Sequence, residues 1–213
     1  MKETARVSWL PFVLYAAAIT AALTLCDFAC HVRFGVLVYA RPDRLSLFAG
    51  HPTLDVSLGF AGIAASVTLS GWLLFRRMPP PSAARTLTST AAFVAAYYCS
   101  GAFGNEHALV FFLGCLLTWV AHIWLVVGSD DTAGQHTLRI VAFSVLLAIA
   151  GPVAEGVYSA TGFFLYTRPH APPPLAVPFW LSGLYLHGGP AVAITIAKLK
   201  DSVSAPRSLA RPE

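Results

Sequence analysis

The chain has 213 residues, of which 56% are hydrophobic and only 11% charged, with a formal net charge of +4. Soluble domains sit near a quarter charged, so this composition excludes an ordinary water-soluble domain and points to one embedded in a bilayer. Its basic residues are scattered at helix ends and tails rather than interleaved with aromatics, which excludes a phosphate-tracking nucleic-acid surface.

A bilayer crossing takes about 20 predominantly apolar residues. Six such stretches fill the chain, at residues 9–30, 56–75, 86–102, 108–128, 139–164 and 176–197. The first follows Lys2 and Arg6 like a secretory signal, but its apolar run is too long for one and no small-residue cleavage site ends it. It reads as the first span. The connection from His31 to Asp55 is apolar yet too interrupted to cross, and is expected to be re-entrant or to lie at the interface. Arg76-Arg77-Met78-Pro79-Pro80-Pro81 separates the second span from the third. In the third, Ala92, Ala96 and Ser100 recur every four residues, as do Ala91, Ala95 and Cys99, a spacing that suits close helix packing and homo-oligomers.

Gly104-Asn105-Glu106-His107 turns the chain into the fourth span, and residues 129–134 link the fourth to the fifth. The reading is therefore an all-α, six-helix membrane bundle forming one domain over residues 1–213, with no internal repeat. Lys2, Arg6, Arg76, Arg77, Arg85, Arg139, Lys198, Lys200, Arg207 and Arg211 fall on one side. Only Arg33, Arg41, Arg44 and Arg168 fall on the other. The positive-inside rule then places both termini in the cytoplasm.

Ionisable groups inside spans are costly and so are candidates for function. Asp27 and His31 stand four apart near the end of the first span, where they either pair or sit at headgroup depth. His122 lies in the fourth span between Trp119 and Trp124, and His187 precedes Gly188-Gly189-Pro190 in the sixth. Glu155 follows Gly151-Pro152 in the fifth, and is expected to face the bundle interior, protonated, donating a hydrogen bond. Tyr97, Tyr98, Trp119, His122 and Trp124, on adjacent antiparallel spans, supply the aromatic and polar mixture of a lipid cavity; the same aromatics also suit an interfacial belt. The four cysteines, Cys26, Cys30, Cys99 and Cys115, lack the spacing of a metal or redox site. No motif calls for a metal or cofactor. Asp27, His31 and Glu155 as acid and base of an intramembrane isoprenoid or carotenoid hydratase or isomerase form the alternative reading.

Thr161-Gly162-Phe163-Phe164-Leu165-Tyr166-Thr167-Arg168-Pro169 is followed by Phe179-Trp180-Leu181 and then Gly188-Gly189. This pattern resembles the C-terminal signature of the insulin-induced gene (Insig) family, which has an N-G-V-Y-Q-Y-T-S-P run, then S-W-L-P and a later G-G. Pro42-Asp43, Asn105 and the stretch from Trp119 to Trp124 match more weakly. The loop lengthened by Pro172-Pro173-Pro174 is a departure.

The resemblance implies a six-span, non-enzymatic, sterol-responsive fold that binds a lipid in a membrane-open cavity and, in animals, retains partner membrane proteins. The family's partner-binding aspartate has no counterpart, because Ala102-Phe103-Gly104 occupies that stretch. The alanine- and proline-rich composition suggests a bacterial inner-membrane relative holding diacylglycerol or another neutral lipid, and leaves any membrane protein partner unidentified. Asp27, His31, Tyr97, Tyr98, Trp119, His122, Trp124 and Glu155 are the expected lipid-binding set.

Overall fold

The computed structural model describes residues 10–40, 45–48, 51–127, 134–170 and 175–204. Pro42-Asp43, the link 129–133, the prolines 172–174 and the basic residues Lys2, Arg6, Arg41, Arg44, Arg207 and Arg211 lie outside them. Within the described residues the helices are α1 (Leu10–Cys26), α2 (Thr53–Phe75), α3 (Ala83–Phe103), α4 (Ala108–Val127), α5 (Gly134–Ala160), α6 (Leu181–Leu186) and α7 (Gly188–Ser204).

Four helical segments are long and apolar enough to cross a membrane: Leu10–Val32, Thr53–Phe75, Ala108–Val127 and Gly134–Ala160. α3 has the length, but Thr86, Thr88, Ser89 and Thr90 dilute its apolar run. The distribution of side chains is that of a bundle solvated by lipid. Leu14, Leu58, Leu73, Leu117 and Ile149 face outward, whereas Asp27, His31, His51, His122 and His187 are buried. Water as solvent would favour the reverse.

α7 occupies the centre, packed on α2, α3, α4 and α5, with Ala193, Ile196 and Ala197 fully buried. The continuous sixth span expected at 176–197 is instead broken at His187 into α6 and α7. Pro190 suits the break, because it has no N–H to give the carbonyl of Leu186 and stands in the first turn of α7, where that bond is not needed.

The fifth span also ends earlier than expected. α5 stops at Ala160, and residues 164–166 form a strand, β2 (Phe164–Tyr166), antiparallel to β1 (Leu37–Tyr39). The register pairs Leu37 with Tyr166 and Tyr39 with Phe164. The all-α expectation is corrected to this extent, and part of the presumed re-entrant segment is a strand.

The two strands belong to a repeat that inspection of the sequence missed. Gly35 and Gly162 each lie two residues before a strand, with φ of 67° and 73°. Their N–H groups return to Val32 and Ser159 respectively, closing the preceding helix in the same way. The Ala40 N–H donates to Phe163 and the Thr167 N–H to Val36, again a matched pair. Each strand ends on a tyrosine whose hydroxyl reaches back to a carboxylate on the helix before it: Tyr39 to Asp27, and Tyr166 to Glu155. Helix, strand and helix therefore occur twice, as α1–β1–α2 and as α5–β2–α6–α7. The carboxylate-to-tyrosine separation is 12 residues in the first copy and 11 in the second. A π-helical turn over Asp27–Val32 takes up the extra residue. Letter for letter the copies share G-x-x-x-Y-x-R-P, at Gly35–Pro42 and Gly162–Pro169, a match too short to stand out in one dimension.

Candidate functional site

α3 and α4 form an antiparallel pair, and between them runs a cavity of about 590 Å³. One wall is Ala92, Ala95, Ala96, Cys99 and Phe103 of α3; the other runs along α4 from His107 to Leu125, about 27 Å of helix at 1.5 Å per residue. Ala95, Val110, Thr118 and Ala121 are exposed, so the cavity is a groove open on the side of the bundle. The small residues of α3 thus do not simply tighten the bundle centre. Ala92, Ala95, Ala96 and Cys99 leave the groove empty, while Gly101 lets α3 approach the π turn, where a Cβ would collide with the Cys30 carbonyl.

Apart from His107 at the start of α4, the polar groups of the groove lie beside the second half of that helix. His122 and His187 line it, their rings stacked 5.4 Å apart at 30°. His187 reaches α4 because the α6–α7 break falls at that residue. A chain of hydrogen bonds fixes the protons. His187 Nε2 lies 3.2 Å from the Cys115 carbonyl, which can only accept, so Nε2 carries the hydrogen. In neutral rings His187 Nδ1 then accepts from His122 Nδ1 at 3.1 Å, and His122 Nε2 accepts from the Ser89 hydroxyl at 2.6 Å. Thr118 Oγ1 donates to Gly114 O and sits 3.2 Å from His187 Nε2. Every ring nitrogen of the pair is occupied, which leaves the Thr118 hydroxyl and, at the other end, His107 as polar groups on the exposed wall.

A second polar cluster lies beneath the two strands. Asp27 accepts from Tyr39 at 2.6 Å and from His51 Nε2 at 3.3 Å, and pairs with His31 Nδ1 at 3.6 Å. His31 also bonds Ser100 at 2.9 Å and stacks on Tyr97. Burial, with the Asp27 carboxylate beside it, pushes the Tyr39 phenol well above its usual pKa and keeps it a donor. Glu155 accepts from the hydroxyls of Tyr166 and of Tyr185, the latter at 2.5 Å. It faces inward as expected, but it receives hydrogen bonds from protein tyrosines instead of donating one. The second copy of the carboxylate–tyrosine clasp is complete without a ligand.

The structure divides the expected residues between two places: Asp27, His31, Tyr97 and Glu155 cluster beneath the strands, away from the groove. Only His122 of the expected lipid-binding set lines the groove. Tyr97 is turned inward against His31, and Tyr98 points outward against Phe34. Trp119 donates its indole N–H to Ser144 at 3.1 Å, and Trp124 is 76% exposed. Asp27, His31 and Glu155 lie in the clasp region, off the groove wall. His187 and Thr118 were not in that set. The signal for His187 was Gly188-Gly189-Pro190, which marks a helix break beside a buried imidazole; Thr118 gave none, since membrane helices commonly carry threonine.

No protein-family model and no curated protein matches the chain. Two solved structures are similar: a mycobacterial Insig homologue, MvINS from Mycobacterium vanbaalenii, and a cross-linked MvINS trimer. Each aligns with a TM-score of 0.70 and 20% identity over 95% of this chain and 99% of the other. The chain has the fold of a bacterial Insig homologue, as the resemblance in its last third implied.

Proposed function

We propose that the chain is a six-span, Insig-like membrane protein that holds one neutral lipid, diacylglycerol-like or sterol-like, in the α3–α4 groove. One observation carries this reading: a laterally open, largely apolar groove in which Thr118, His122 and His187 gather beside the second half of α4, with His107 at the other end. Its volume falls within the roughly 300–1,000 Å³ usual for small-molecule sites. Acyl or ring carbons would lie along Ala95, Phe103 and Val110. A hydroxyl of the head would bond Thr118, with the histidine pair holding that hydroxyl in place.

Gly114 provides a clean test, because it lines the groove and a Cβ there meets nothing within 4 Å. Gly114→Leu should fill the groove while leaving the fold intact. Native mass spectrometry of protein extracted from membranes should then show retained neutral lipid reduced about tenfold, the effect of some 1.4 kcal/mol. Thermal unfolding should be unchanged. Wild-type lipid retention in Gly114→Leu would overturn the groove as the site.

The exposed apolar flanks also support a homo-oligomer, and the similar MvINS has been cross-linked as a trimer. Crosslinking in native membranes should give a discrete oligomer; monomer alone would refute it.

A further inference from the structure

A smaller cavity, about 90 Å³, lies under the turn Pro79-Pro80-Pro81, where α2 ends and α3 begins. Arg85 of the first turn of α3 and His136 of the first turn of α5 line it, above Val126 and Ala197. The Arg85 guanidinium has no ion-pair or hydrogen-bond partner among the described residues, and neither does the buried Nδ1 of His136. A buried polar nitrogen without a partner is uncommon and asks for an explanation.

Among the described side chains, the charged groups around it are basic. Lys200 Nζ lies 3.0 Å from the carbonyl of Met78, itself on the cavity wall, and Arg139 bonds the Leu74 carbonyl at 3.3 Å. Arg76 and Arg77 stand exposed on the same turn. Among the described residues no carboxylate lines the cavity. Two long helices, α3 and α5, also begin here, and helix starts favour anions through their dipoles and unbonded N–H groups. A guanidinium is suited to phosphate, since its planar fork gives two parallel donors to two oxygens.

We propose that this cavity is a phosphate site, filled by the head group of an anionic phospholipid at the membrane surface. It lies at the end of the bundle opposite Arg168 and Glu106, and it is separate from the groove. Basic pockets between helices, at the end that the positive-inside rule assigns to the cytoplasm, are suited to acidic lipid heads.

The test uses the purified full chain and native mass spectrometry, with phosphatidylglycerol and phosphatidylcholine of matched acyl chains as probes. Phosphatidylglycerol should be retained in clear preference. Arg85→Gln and His136→Gln should each lower that retention, Arg85→Gln by about fivefold, as expected for one basic residue near an acidic lipid surface. Arg85→Lys should restore part of it. Arg168→Gln should leave it unchanged, and diacylglycerol retained in the groove should be unaffected by any of these variants. A separate arm adds inorganic phosphate at millimolar concentration. If phosphate displaces phosphatidylglycerol and raises the melting midpoint of the wild type but not of Arg85→Gln, the phosphate chemistry stands and its source is the free ion. Equal retention of the two lipids, or wild-type retention by a normally melting Arg85→Gln, would overturn the proposal.

Discussion

Glu155 shows how one side chain's role follows from its neighbours. Both carboxylate oxygens accept from tyrosine hydroxyls, Tyr166 on β2 and Tyr185 on α6, so this residue ties two elements to α5. Glu155→Gln keeps one oxygen acceptor, and the second tyrosine can turn its hydroxyl to accept from the amide. Glu155→Leu leaves both hydroxyls buried without a partner, at about 1–3 kcal/mol each. Thermal unfolding in detergent should therefore rank wild type, Gln and Leu in descending stability, with the Leu step the larger. Lipid retained in the groove should change little in Gln, because Glu155 is not on its wall. Equal melting of Leu and wild type would show that the clasp contributes nothing to stability.

At the scale of elements, Gly151 and Glu155 act as a unit one helical turn apart on α5. A Cβ at position 151 would stand 2.5 Å from the Tyr185 ring, so only glycine lets that ring lie on α5 and extend its hydroxyl to Glu155. Gly151→Ala should displace Tyr185 and cost about 1–3 kcal/mol as overpacking. Part of that loss is the hydrogen bond, so the cost should shrink in a Tyr185→Phe background; a double-mutant cycle with no coupling would refute the link. Gly35 and Gly162 present the opposite case. Both have open space around the missing Cβ but positive φ. Alanine at either should cost about 1–2 kcal/mol through backbone strain alone. Similar losses at the two positions are expected from the matched halves of the repeat.

For the molecule as a whole, the six-span reading with both termini cytoplasmic predicts which loops a membrane-impermeant thiol reagent can reach. In a background lacking Cys26, Cys30, Cys99 and Cys115, Arg77→Cys should label only in inside-out vesicles. Arg168→Cys should label only in right-side-out ones. Labelling of both from the same side would refute the topology. The two hydrophobic clusters fit this frame. One surrounds Trp180 near the strands, and the other surrounds α7 with Phe75, Ile140 and Phe143.

Residue composition and spacing determined the membrane class, the approximate place of the apolar helices, and the likeness of residues 161–189 to one family. These are local properties: a bilayer crossing is a matter of length and hydropathy, and a signature is read letter by letter. The inward placement of Glu155 was legible too, because a carboxylate deep in a span has few tolerable alternatives. Only the tertiary structure decided which polar groups share a site. Tyr97 and Tyr98 are neighbours in sequence yet point inward and outward, since a helix turns about 100° per residue. The histidine pair joins residues 65 apart, His122 and His187, through a helix break whose direction no periodicity encodes. The groove itself depends on α3 and α4 diverging around small side chains, and the same small residues would equally have allowed the helices to close. Packing of α7 and α6 behind them settled which occurred.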